Sequence, residues 1–171
     1  MKASIVLTVI GPDRPGLVEA LSETVAKHGG NWEEGRMSHL DGHFAGLLRV
    51  VVDASRRMEL EQALGSISGL TVTSTASGAP DKDSDPRYTL SVLGQDREGI
   101  VRDLSRVLAK QGVNVEELSS KCQSAPMSGE TLFRATANLR IPAAASLDTL
   151  REQLEAIGDD LMVDVSLEPA D

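Results

Sequence analysis

Two short stretches carry residue types that could grip a small charged molecule. Gly11-Pro12-Asp13-Arg14-Pro15-Gly16 ends an apolar run and opens onto a helical pattern, and Gly94-Gln95-Asp96-Arg97-Glu98-Gly99 does the same eighty-three positions later. A glycine-bounded turn at a helix start leaves backbone N–H groups unpaired at the positive end of the macrodipole, which favours an anion, and a carboxylate suits it. The turn lacks the Gly-Lys-Ser/Thr of a P-loop and the third glycine of a dinucleotide fingerprint, so it is no ordinary phosphate cradle. Asn31 and Asn114 each follow a helix-ending glycine and open the next strand. A split β-α-β-β-α-β topology is expected to bring that strand start close to the loop. The amide, the free N–H groups and an Asp carboxylate would then hold both ends of an amino acid. The candidate binding residues are Gly11, Asp13, Arg14, Pro15, Gly16 and Asn31 in the first copy, with Asp96, Gly99 and Asn114 in the second. Glu98 stands where the first copy has Pro15 and places a negative side chain at the helix start, which ranks the first copy above the second. Two plainer readings stay open: the turn is a strand-to-helix connection whose Asp caps the helix, and the asparagines occupy turn conformations after the helix stop.

The elements that position these residues also repeat. Leu7, Val9, Val18, Leu21, Ser22 and Gly29 recur at the same offset as Leu90, Val92, Val101, Leu104, Ser105 and Gly112. Self-similarity at one fixed spacing means two copies of one small domain, here residues 1–78 and 87–171, with the polar run over 79–86 as linker. In the first copy residues 4–10 read as a central strand because they are almost wholly apolar. Asp13 is the expected N-cap of the helix that follows and Pro15 belongs in its first turn. Residues 31–40 and 43–53 are extended runs joined by Asp41-Gly42, which favours a type I′ hairpin. Ser55 is the expected cap of a second helix to residue 68, and residues 70–77 form the last strand. The second copy predicts a strand over 87–93, a helix over 97–111, a hairpin between 113 and 141, a helix capped by Ser146 and a strand over 161–167. After Glu117 its offset lengthens by about four residues, at the hairpin tip 123–129. The order predicts an α+β fold: two ferredoxin-like domains, each a four-stranded antiparallel sheet with both helices on one face.

Composition narrows the function. The chain of 171 residues carries a net charge of -9, which repels a phosphate backbone and argues against direct nucleic-acid binding. One Trp, one Tyr and two Phe leave the cores to Val, Leu, Ile and Ala. A single Cys122 excludes an internal disulfide and fits a reducing compartment. No charged leader and no run of eighteen apolar residues occurs, so a soluble cytoplasmic protein without membrane attachment is expected. His39, Asp41 and His43 invite a metal reading, yet a two-residue turn pairs Leu40 with His43 and puts the histidines on opposite faces. His28 is read as structural at a helix C-terminus, Trp32 as buried under the helices, and Arg56 and Arg57 as solvated. No catalytic triad, paired catalytic carboxylates or cofactor motif is present, so an enzyme is not expected, and neither is a cofactor or metal.

At GPDRPG with GGNW, and again at GQDREG with GVNV, the chain resembles a pair of ACT domains, the small regulatory modules that sense amino acids. NWEEGRMSHLDGHF in the first hairpin and SSKCQSAPMSGET in the second make it most similar to the glycine cleavage system transcriptional repressor family. The resemblance implies a small amino acid as ligand, glycine first, bound where the two copies meet. It further implies a DNA-binding activator as the protein partner, with homodimerisation open. A ligand-free interaction module and a detached regulatory subunit of an amino-acid or one-carbon enzyme are the alternatives.

Overall fold

The computed structural model describes residues 1–78, 84–124 and 129–170. The chain forms two compact units, Met1–Asp81 and Lys82–Asp171. The first unit runs β1 (Lys2–Pro12), α1 (Leu17–Lys27), β2 (Asn31–Leu40), β3 (His43–Asp53), α2 (Arg57–Gly65) and β4 (Thr71–Ala76). The second repeats the order as β5 (Arg87–Gln95), α3 (Ile100–Lys110), β6 (Asn114–Ser124), β7 (Thr131–Arg140), α4 (Leu147–Leu161) and β8 (Val163–Pro169). Each unit holds one four-stranded sheet, ordered β2-β3-β1-β4 or β6-β7-β5-β8, with all neighbours antiparallel. This is the expected α+β, ferredoxin-like arrangement.

Strand alternation sends Ile5, Leu7 and Val9 to the face where Leu21 and Val25 of α1 and Leu60 and Leu64 of α2 pack, so both helices cover one side. Leu90 and Val92 meet Leu104, Leu108, Leu150 and Leu154 in the same way. Burying each such side chain is worth roughly 1.5–3 kcal/mol, so aliphatic residues in number replace the scarce aromatics. The apolar run of β1 is not covered on both faces: Ile10 is 48% exposed, and Leu47 of β3, which pairs with Thr8, is 52% exposed.

The first hairpin has the predicted limits, and Asp41 (φ 47°) and Gly42 (φ 75°) supply the two positive angles that a type I′ turn needs. In the second hairpin the offset of 83 holds along all of β6 and becomes 89 in β7, so the insertion is six residues and lies in the turn, not directly after Glu117. The part of that tip over 125–128, and of the expected linker over 79–83, lies outside the described residues. A bulge recurs at the same place, between Trp32 and Glu34 and between Val115 and Glu117. Ser146 caps α4 as expected, accepting from the Thr149 N–H at 3.3 Å. Ser55 caps nothing: it lies within a single 3-10 turn over Ala54–Arg56, and α2 begins after it.

Candidate functional site

Each glycine-bounded loop is pinned at three points. Gly11 is buried at the end of β1, and a Cβ there would stand 2.2 Å from the Gly69 carbonyl oxygen; one at Gly94 would stand 2.7 Å from that of Met162. The first glycine of each loop is therefore required by close backbone approach to the turn after the second helix. The Arg14 guanidinium donates to the Ser68 carbonyl in that turn. Arg97 does the equivalent in the second unit, reaching the Met162 Sδ at 3.5 Å.

The aspartates tie the loops to the hairpins and do not cap the helices. Asp13 donates its backbone N–H to the Gly42 carbonyl at 2.8 Å, and its carboxylate stands 3.7 Å from His39 Nε2. Asp96 donates its N–H to the Thr131 carbonyl at 2.8 Å, and its carboxylate accepts from the Cys122 thiol. Partial desolvation, then the bond to Asp96 and its charge, push that thiol pKa up. His39 and Cys122 occupy the same register position of the two hairpins, facing Phe44 and Phe133.

The helices start later than the residue types imply. Gly16 (φ 86°) and Gly99 (φ 93°) hold the N-cap positions of α1 and α3, and neither helix has a side-chain cap. Pro15 thus precedes the helix and is not in its first turn. The reason is conformational: a left-handed residue must link loop to helix, and only glycine takes that shape without strain. Asp13, Arg14, Pro15 and Gly16 are all exposed, and the first-turn amides of both helices lack the side-chain acceptor that the sequence predicted.

Asn31 does not come close to the loop of its own unit. It pairs with Val51, which pairs with Ser4, whereas Leu40 at the other end of β2 pairs with His43, which pairs with Pro12. Asn31 is thus level with Ser4, seven residues from Gly11 along β1, or roughly 23 Å at strand rise. Asn114 is likewise level with Arg87, at the far end of β5 from Gly94. The cause is direction: α1 carries the chain back to the start of β1, so β2 begins at the opposite end of the sheet from the loop.

Charge at the helix starts differs from the expectation too. The Glu19 carboxylate lies 3.8 Å from where a Gly16 Cβ would be, while at Gly99 the corresponding neighbours are the Arg102 guanidinium at 2.7 Å and Asp103 at 3.4 Å. Arg102 donates to Asp103 at 2.8 Å, and that bond raises the arginine pKa and lowers the aspartate's. The Arg102 guanidinium near Gly99 is thus paired with Asp103, whereas the side chain near Gly16 is the Glu19 carboxylate. Sequence reasoning missed Arg102; its one signal is that it replaces Glu19 at the shared offset.

The remaining candidates have structural places. His28 Nδ1 lies 2.8 Å from the Thr24 carbonyl oxygen and its Nε2 lies 3.8 Å from Glu59. The Trp32 ring packs on the core and over Gly35, with Nε1 2.9 Å from where a Cβ would be. Arg56 is not merely solvated: it donates to the carbonyl of Lys27, the last residue of α1, at 3.4 Å. No cluster of three His, Cys, Asp or Glu able to hold a metal occurs among the described residues. No described helix is long and apolar enough to cross a membrane.

The repeated βαββαβ unit with its glycine-started first helix defines the class. The chain belongs to the ACT-domain family: ACT domains match residues 3–70 and 87–159, in tandem. It is 34% identical over 86 residues to a UPF0237 protein of Methanocaldococcus jannaschii, covering 50% of this chain and 89% of the relative. It superposes on an unknown protein from Galdieria sulphuraria with a TM-score of 0.91 at 31% identity, over 100% of both chains. A protein provisionally assigned as a glycine cleavage system transcriptional repressor matches with a TM-score of 0.71 at 22% identity, over 99% of this chain and 98% of the other, and so shares the fold.

Proposed function

We propose that this protein is an amino-acid-sensing regulator, with glycine as the first ligand to consider, that acts through a protein partner rather than by gripping DNA. The observation that carries the reading is the pair of uncapped helix starts, each behind an exposed glycine loop held rigid by its arginine and aspartate. Such amides suit a carboxylate, and small amino acids are what ACT domains generally bind. The fold shared with the provisionally assigned repressor supports glycine and a transcriptional output, and the net charge of -9 supports a protein rather than a nucleic-acid target. One unit holds its loop and its asparagine at opposite ends of the sheet, so the loop and helix start form the proposed site without the asparagine of the same unit. Ligand then acts by favouring one conformation, to the extent of its preference for that conformation.

Thermal unfolding with added amino acids tests the proposal. A ligand at a hundred times its Kd stabilises by about 2.7 kcal/mol, so the melting temperature rises with millimolar glycine, and the rise shrinks in Asp13→Ala, which loosens the loop from the hairpin. A melting temperature indifferent to glycine, serine and alanine leaves only an interaction module.

A further inference from the structure

In the second unit a cavity of about 200 Å³ lies between α3 and the helix-facing side of β5, β6 and β7. Its floor includes Val92, Ala135 and Ala137, all buried, and at its mouth Val101, Val115 and Leu118 are 40%, 40% and 50% exposed. Ser105 supplies the one polar side chain of the lining. A buried water wants two to four polar partners, so a single hydroxyl does not hold water there, and dry apolar cavities of this size accept small aromatic molecules.

The first unit shows what the same space takes when the chain fills it itself. The shared register sets Val115 against Trp32, Ser120 against Met37 and Ala137 against Leu48. In the first unit Trp32 and Met37 pack on the core and Leu48 is buried within it. The second unit has smaller side chains at all three positions. Leu118, which stands where Gly35 underlies the Trp32 ring, recovers part of the volume but remains half exposed at the rim. The bulge before it turns both Val115 and Leu118 toward the helix side, so they frame an entrance and do not close it.

We infer that this cavity binds a small planar aromatic molecule of about the size of an indole ring, entering between Val101, Val115 and Leu118 with its polar edge toward the Ser105 hydroxyl. None of the glycine-loop residues lines the cavity, which opens beside the α3 start through Val101 and is distinct from the loop itself. A second copy of the chain covering the same apolar mouth is the rival occupant.

Methyl NMR of the full chain titrated with indole decides between them. The expected result is saturable shifts of the Val92, Leu104 and Leu108 methyl groups at millimolar indole, while Leu21 and Val25 of the first unit stay put. Ala137→Leu restores the first-copy residue beneath the mouth, and Val115→Trp restores the first-copy ring; each folded variant lowers indole affinity by about tenfold or more. Two variants keep the test sharp if one of them fails to fold. Absent shifts, equal shifts in both units, or shifts that persist in the variants overturn the inference. Shifts at the mouth that follow protein concentration without indole assign it to a second copy and overturn it as well.

Discussion

Gly11 and Gly69 meet so closely that a methyl group on the first would press to 2.2 Å from the carbonyl oxygen of the second. Fifty-eight positions apart in sequence, they join the end of β1 to the turn that leads into β4. The Arg14 bond to Ser68 closes the same junction from outside. The loop is therefore a rigid mount for the start of α1, which is what a site built from backbone amides requires.

Gly11→Ala is expected to destabilise the first unit by about 1–3 kcal/mol, the usual result of forcing extra carbon into a closed contact. Gly94→Ala repeats the effect in the second unit, where the corresponding oxygen lies at 2.7 Å. Urea titration followed by circular dichroism measures both. A wild-type midpoint for either variant contradicts the role given to the first glycine.

Acid should weaken the contact between Arg57 and Glu61, which donate and accept at 2.8 Å along α2. That hydrogen bond holds the Glu61 carboxyl below its ordinary pKa, against a smaller opposing effect of burial. A lowered folded pKa means stability that is present above the unfolded value and lost as pH falls through the folded one. Glu61→Gln is thus expected to cost up to about 0.5 kcal/mol near neutral pH, the scale of a partly exposed helical pair. The difference should vanish once the wild-type carboxyl is protonated. A penalty that is constant across the acid range contradicts the assignment.

Cys122 offers a probe of the loop-to-hairpin tie. Its thiol pKa is raised by partial desolvation and by Asp96, and the thiolate is the reactive form. Asp96→Asn removes the negative neighbour, so alkylation of Cys122 at neutral pH should become severalfold faster. An unchanged rate shows that Asp96 does not face the thiol in solution.

Much of the fold was legible because local chemistry dictated it. Asp41-Gly42 specifies a type I′ turn by itself, and that turn fixes the register of the whole hairpin. Ser146 reads as a cap because it directly precedes a helical run and no left-handed residue intervenes. Asp13 looked like the same device, but Gly16 takes the N-cap position with φ 86° and frees the aspartate to reach His39. The site was legible only in part. Loop residues are neighbours in sequence and stay together, whereas the place of Asn31 depends on the direction in which α1 returns the chain, a tertiary fact that residue types do not carry. The apolar cavity was invisible for another reason: Ala137 and Val115 are ordinary core residues until set beside Leu48 and Trp32.

The most direct measurement is a ¹⁵N–¹H NMR titration of the full chain with glycine, following the first-turn amides of Leu17 and Val18 in α1 and of Ile100 and Val101 in α3. The account predicts saturable shifts at those amides in at least one unit at millimolar glycine, weakened in Asp13→Ala or Asp96→Ala without loss of fold. First-turn amides that do not move with glycine, serine or alanine, while the protein remains folded, contradict it.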